Sequence, residues 1–195
     1  MNAQDFFERD LRLSDPEQIR QLLDGSKTES VPKGTLLVEA GEYQTHIPFL
    51  LEGIFRGFLI DTEGRDVTDC FAHRYGDVLM GCNGPGAPSC ISMEAVTDGE
   101  ILLIPVQTVT EQLDCQLLLL QKYNHYLMQA LKRHWEEKML LHRCSAMQRY
   151  QWFLKAYPGL IDTVSNKHIA SFLGMTPVTL SRLRRQLREE ARDSK

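Results

Sequence analysis

Val164-Ser165-Asn166-Lys167-His168-Ile169-Ala170-Ser171-Phe172-Leu173-Gly174-Met175-Thr176-Pro177-Val178-Thr179-Leu180-Ser181-Arg182-Leu183-Arg184-Arg185-Gln186-Leu187 is the stretch on which the rest of the chain turns. Two short amphipathic segments flank a turn that contains glycine, the layout of a helix-turn-helix. Ala170 is small where two helices must cross closely, and Gly174 can take the left-handed backbone of the turn. Ile169, Leu173, Leu180 and Leu183 supply the buried contact, while Thr176 reads as an N-cap with Pro177 at the first helical position. The exposed face of the second helix then carries Val178, Thr179, Ser181, Arg182 and Arg185, with Arg188 beyond them. Arginine suits bidentate contact with guanine O6/N7, and hydroxyls meet phosphates or base edges. Arg182 is therefore the candidate for base readout. Thr176, Thr179, Ser181 and Arg185 divide between phosphates and bases, and Arg188 is a phosphate contact. A merely solvated helical hairpin could also be basic on one side. The cap, the proline, the Ala-x-x-x-Gly spacing and the arginines at 182, 184, 185 and 188 favour DNA.

Moving toward the N-terminus, Ser145 to Tyr157 reads as a short helix stopped by Pro158-Gly159. Before it, Gln112 to about His142 lacks Gly and Pro and predicts one long uninterrupted helix of about 45 Å. Leu113, Leu117, Leu120, Asn124, Leu127, Leu131, His134, Lys138 and Leu141 follow alternating steps of four and three, the seam of a coiled coil. A stripe that long needs a partner helix, so the expectation is a homodimer whose interface includes Leu113, Leu117, Leu120, Asn124, Leu127, Leu131 and His134. The competing reading packs the extra leucines on the preceding domain.

From Thr35 to Pro105 the period changes. Short apolar or alternating runs (Thr35–Glu39, His46–Glu52, Ile54–Asp61, Val67–Ala72, Val78–Met80, Ser92–Val96, Ile101–Pro105) are separated by glycines, the pattern of a β-sandwich or barrel. Asp61-Thr62-Glu63-Gly64-Arg65 is a hairpin turn by its chemistry. Asp5–Leu23 predicts one or two short helices around Asp15-Pro16.

The 195 residues carry 43% apolar and 25% charged side chains, enough for a packed core. The net charge of −4 hides a split. Residues 1–131 hold 9 Lys/Arg against 20 Asp/Glu, a net of −11, and residues 132–195 hold 13 against 6, a net of +7. An acidic body with a basic tail points to nucleic acid. There is no long apolar run and no signal-like start, so the expectation is a cytoplasmic protein without membrane partners. Five scattered cysteines and six histidines form no disulfide framework and no metal pattern; Cys70-x-x-His73 and His142-x-Cys144 lack a second pair. No metal and no cofactor are expected. Cys82 and Cys90, flanking the Gly/Pro-rich loop 83–89, are candidates for a redox switch, with nothing basic nearby to activate a thiol. The chain shows no P-loop, no G-x-S-x-G and no His/His/Glu set at strand spacing, so it is not expected to be an enzyme. The alternative is a cupin-like small-molecule sensor or enzyme that does not bind DNA.

A glycine-punctuated β-roll, a long helix and a C-terminal helix-turn-helix together resemble the bacterial cyclic AMP receptor protein / fumarate-nitrate regulator family. Ile169 to Thr176 and Leu180 to Arg184 carry the most specific likeness. Lys33-Gly34-Thr35-Leu36-Leu37, Leu51 to Arg56 and Tyr75-Gly76-Asp77-Val78 match its strand-turn pieces. The resemblance implies an α+β chain: a double-stranded β-helix (jelly-roll, cyclic-nucleotide-binding-like) sensor domain over 1–110, a dimerisation helix over 111–142, and a helix-turn-helix domain over 143–195 whose wing is truncated. It implies a transcription regulator that binds a palindromic operator on double-stranded DNA as a homodimer, with a small-molecule effector and RNA polymerase as further partners. The family's phosphate-binding Gly-Glu and Arg are replaced by Gly81-Cys82 and Pro88-Ser89-Cys90, with Glu94 close behind, so cyclic AMP binding is not expected. Where family members often carry Glu three residues before Ser-Arg, this chain has Val178.

Overall fold

A computed structural model describes Gln4, residues 6–10, Leu13, residues 15–81, Gly84 and residues 86–193. The chain forms two compact units, Met1–Leu59 with Asp69–Tyr126, and Ile60–Thr68 with Leu127–Lys195.

In the first unit the alternating runs become strands β1 (Lys27–Val31), β2 (Leu36–Val38), β3 (His46–Glu52), β4 (Phe55–Ile60), β5 (Asp66–Ala72), β6 (Ser92–Ala95) and β7 (Gly99–Pro105). They make two sheets, ordered β1-β7-β3 and β2-β6-β4-β5, and β7 pairs antiparallel with both its neighbours. Val31, Leu50 and Ile101 from the first sheet pack with Val38, Phe55, Ala72, Met93 and Ala95 from the second, so the core lies between the sheets. The outer face of β7 is covered too. Leu102 and Ile104 lie under Phe6, Phe7, Leu13, Ile19 and Leu22, contributed by one π-helical turn (Phe6–Asp10), Leu13 and helix α1 (Pro16–Leu23). A strand buried on both faces has no polar side to display, which is why Ile101-Leu102-Leu103-Ile104 does not alternate.

Two strand expectations are corrected. Lys27–Val31 forms β1 although its side chains are exposed except Val31; it is an edge strand held by backbone pairing to β7, with no alternation to betray it. Val78–Met80 makes only a single bridge, Val78 to Phe49. The hairpin turn is as expected. The Asp61 carboxylate accepts from the amides of Glu63 and Arg65 at 2.9 Å each, and Gly64 sits at φ +74°.

The long helix is not continuous. It divides into α2 (Val106–Cys115) and α3 (Leu117–Arg143), with Gln116 extended between them at φ −122° and ψ 96°. The physical reason is packing. Leu113 and Leu119 both join the core beneath Phe6 and Phe7, yet six residues apart on an unbroken helix they would face directions about 120° apart. One extended residue lets both be buried.

The second unit contains the C-terminal part of α3, then α4 (Ala146–Ala156), α5 (Leu160–Thr163), α6 (Asn166–Phe172) and α7 (Pro177–Asp193). Ser145 and Gln148 form a capping box at the start of α4, as the Ser145 boundary predicts. Trp152, Phe153, Tyr157 and Phe172 form its aromatic centre, with ring centroids 5.1–6.4 Å apart. The buried Tyr157 hydroxyl donates to Glu137 Oε1 at 2.9 Å. The hairpin tip belongs to this unit: the Thr68 amide donates to Ser171 Oγ at 3.0 Å, and that hydroxyl reaches the Asp66 carbonyl at 3.3 Å. Among the described residues no helix is long and apolar enough to cross a membrane.

Candidate nucleic-acid interface

The helix-turn-helix is built by local rules that the sequence states openly. Ser165 caps α6, its hydroxyl accepting from the His168 amide. At the other end Gly174 adopts φ +60°; its amide donates to the Ser171 carbonyl and that of Met175 to the Ala170 carbonyl, which is a Schellman closure. Thr176 Oγ1 then accepts from the Thr179 amide at 3.1 Å and starts α7, with Pro177 at its first position. Ile169, Ala170, Leu173 and Leu180 are fully buried at the crossing, as their types and spacing predict, and Leu183 is half-buried. Arg149 ties the turn to the end of α3: Nη1 donates to the Leu141 carbonyl at 3.2 Å and Nη2 to the Gly174 carbonyl at 3.3 Å.

The side chains singled out on α7 divide into three groups. Val178, Ser181, Arg182 and Arg188 are exposed, and neither Arg182 nor Arg188 has an ion-pair partner among the described residues. Arg185 is exposed but binds Glu189 at 2.7 Å, and that carboxylate raises the already high pKa of its guanidinium. The Thr176 and Thr179 hydroxyls lie 2.9 Å apart and hydrogen-bond each other, so the cap already occupies much of their capacity. Arg184, part of the arginine cluster in the sequence, turns inward: Nη1 donates to Asn166 Oδ1 at 2.8 Å and Nη2 lies 4.0 Å from Asp162. Position 184 is rotated away from the Val178–Arg182–Arg185 face, a difference that the density of arginines conceals.

A second exposed surface runs along α3. Leu117, Leu120, Asn124, Leu127, Leu131 and His134 are all exposed; Leu113, on α2, instead packs half-buried against the first unit's core. Met128, Trp135 and Met139, which fall outside the four-and-three seam, are 63%, 52% and 39% exposed. On a straight helix of 3.6 residues per turn they continue the line of Leu117, Asn124 and Leu131, whereas a strict 3.5 period drifts to Leu127 and His134. A large apolar stripe of this kind is uncommon on a surface that meets only water.

In the first unit, the carboxylate of Glu94 is not unbalanced. Arg56 stands directly opposite it across β4 and β6, its side chain 3% exposed, and its Nε binds Glu94 Oε1 while the guanidinium lies 4.3 Å over the Phe58 ring. Arginine 38 positions earlier in the chain carried no local signal of this pairing. Cys90 is exposed, and Cys82, the other half of the redox candidate, lies with Asn83 and Pro85 outside the described residues.

No family model matches the chain, and no curated protein does. Solved structures do. FixK2 from Bradyrhizobium japonicum superposes with a TM-score of 0.76 at 22% identity, covering 85% of this chain and 86% of its own. A protein assigned to the crp/fnr family of transcriptional regulators, from Eubacterium rectale, gives 0.71 at 16% identity over 91% and 85%. The c-di-GMP responsive global regulator CLP of Xanthomonas campestris gives 0.70 at 14% identity over 91% and 93%. A two-sheet β domain, a long helix and a capped helix-turn-helix in this order give the chain the fold of the Crp/Fnr regulators.

Proposed function

We propose that this protein is a sequence-specific DNA-binding transcription regulator that acts as a homodimer on a palindromic operator. The observation that carries the reading is the exposed face of α7, where Arg182 stands beside Val178 and Ser181 and neither it nor Arg188 has an ionic partner among the described residues, on a helix whose start is fixed by Thr176 and whose inner side is buried. Arg182 takes base readout, with Val178 and Ser181 on the same face; Thr176, Thr179, Arg185 and Arg188 hold phosphates. The apolar line on α3, Leu117, Leu120, Asn124, Leu127, Leu131 and His134 together with Met128 and Trp135, fits a second copy of the same helix. Two-fold symmetry then presents two recognition helices to successive major grooves about 34 Å apart.

Functionally we assign residues 1–110 to sensing, 111–142 to dimerisation and 143–195 to DNA. Arg56 is already paired with Glu94, so an anionic cyclic phosphate would have to displace a half-buried carboxylate to use it; this supports a sensor that takes a different effector or none. Contact with RNA polymerase and a cytoplasmic location follow from the same reading, as does the absence of catalysis. Selection from random duplexes at moderate salt tests it. An enriched palindrome bound two protomers at a time is the expected result, and recovery of random sequence overturns the reading.

A further inference from the structure

We infer that Val178 selects a thymine, by packing on its 5-methyl group in the major groove within two base pairs of the base that Arg182 addresses. The inference rests on the DNA-binding reading and specifies what that surface selects. Val178 is the second residue of α7 and is 61% exposed. Ser181 and Arg182, three and four positions on, share its face and are exposed as well. Of the other polar side chains near it, the Thr176 and Thr179 hydroxyls bond each other, Arg184 bonds Asn166, and Arg185 bonds Glu189. What the first two turns of the helix offer outward is therefore a branched apolar side chain beside the Ser181 hydroxyl and the Arg182 guanidinium, which has no ion-pair partner among the described residues.

Base edges in the major groove present hydrogen-bond donors and acceptors, with a single apolar group among the four bases, the thymine C5 methyl. A valine pressed on any other edge would leave donors or acceptors without water and without partners, which is unfavourable. Against thymine it buries a methyl instead. Four residues of helix advance about 6 Å, less than two base-pair steps of about 3.4 Å, so the thymine lies one or two pairs from the guanine of Arg182.

The experiment uses the full chain and the operator recovered by selection, with each thymine replaced singly by deoxyuridine, which removes only the methyl. The expected result is one thymine per half-site at which wild-type binding weakens about fourfold, the value of one buried methyl group. At that position Val178→Ala shows no loss on the same replacement, and Val178→Thr, which keeps one methyl, shows an intermediate loss. Equal methyl effects in wild type and Val178→Ala at every thymine, or none in either, overturn the inference while leaving the operator and the DNA-binding reading intact. Failure of selection to enrich any operator overturns both.

Discussion

At the scale of single residues, Arg182 and Arg184 separate cleanly although two positions apart in one basic run. Arg184→Ala removes the hydrogen bond to Asn166 and should destabilise the second unit by about 1.5 kcal/mol in urea unfolding, the usual worth of a charged hydrogen bond. Arg182→Ala removes no hydrogen bond or ion pair among the described residues; unfolding should be unchanged and sequence preference relaxed in a competition assay between operator and random duplex. The Arg56–Glu94 pair makes the opposite lesson about buried charge. Glu94→Gln removes the carboxylate that faces a guanidinium only 3% exposed and should cost about 3 kcal/mol, while the double change Arg56→Met with Glu94→Leu should recover most of that loss, since apolar replacements of buried ion pairs are tolerated. Equal losses in the single and double variants would show that the pair is not acting as a unit. The type of each of these residues is plain in the sequence. Their pairing is not, because Arg56 and Glu94 meet through strand register and Arg184 and Asn166 through a helix crossing.

At the scale of elements, local signals read well where the element is closed by its own residues. Ser145, Gly174 and Thr176-Pro177 mark boundaries that the structure places within a residue of expectation. They failed at Gln116, where no Gly or Pro warns of the break and only the joint burial of Leu113 and Leu119 demands it. On α3, Leu131→Asp places a charge in the apolar line and should shift the protein to monomer in sedimentation velocity while leaving its helical content unchanged; a persistent dimer would move the interface elsewhere. Tyr150 on α4 gives a pH prediction. Burial holds its hydroxyl above the ordinary tyrosine value of about 10, although the charges of Arg184 and Arg188 pull it down. A pKa raised in the folded state means that the associated stability is complete below about pH 10 and is lost as pH rises through the shifted value. The melting temperature should therefore fall more steeply above pH 10 in the wild type than in Tyr150→Phe.

For the whole molecule, the charge division is the feature with a functional consequence. Residues 1–131 at −11 repel phosphate and residues 132–195 at +7 attract it, so on the proposed reading residues 132–195 should carry the salt dependence of binding. Arg188→Ala should weaken operator and random duplex alike and reduce the slope of log K against log salt by about one per protomer, measured by fluorescence anisotropy. A change confined to the operator would reassign Arg188 to base contact. The sequence by itself determined the order of parts, the helix-turn-helix with its caps and turn, and the split in charge, because each depends on residue types at short fixed spacings. Only the tertiary structure decided which arginines stay free, that Glu94 is neutralised, that the helix breaks at Gln116, and that Met128 and Trp135 lie on the exposed line. These follow from register, crossing geometry and competition for burial between residues far apart in the chain, and no local pattern encodes them.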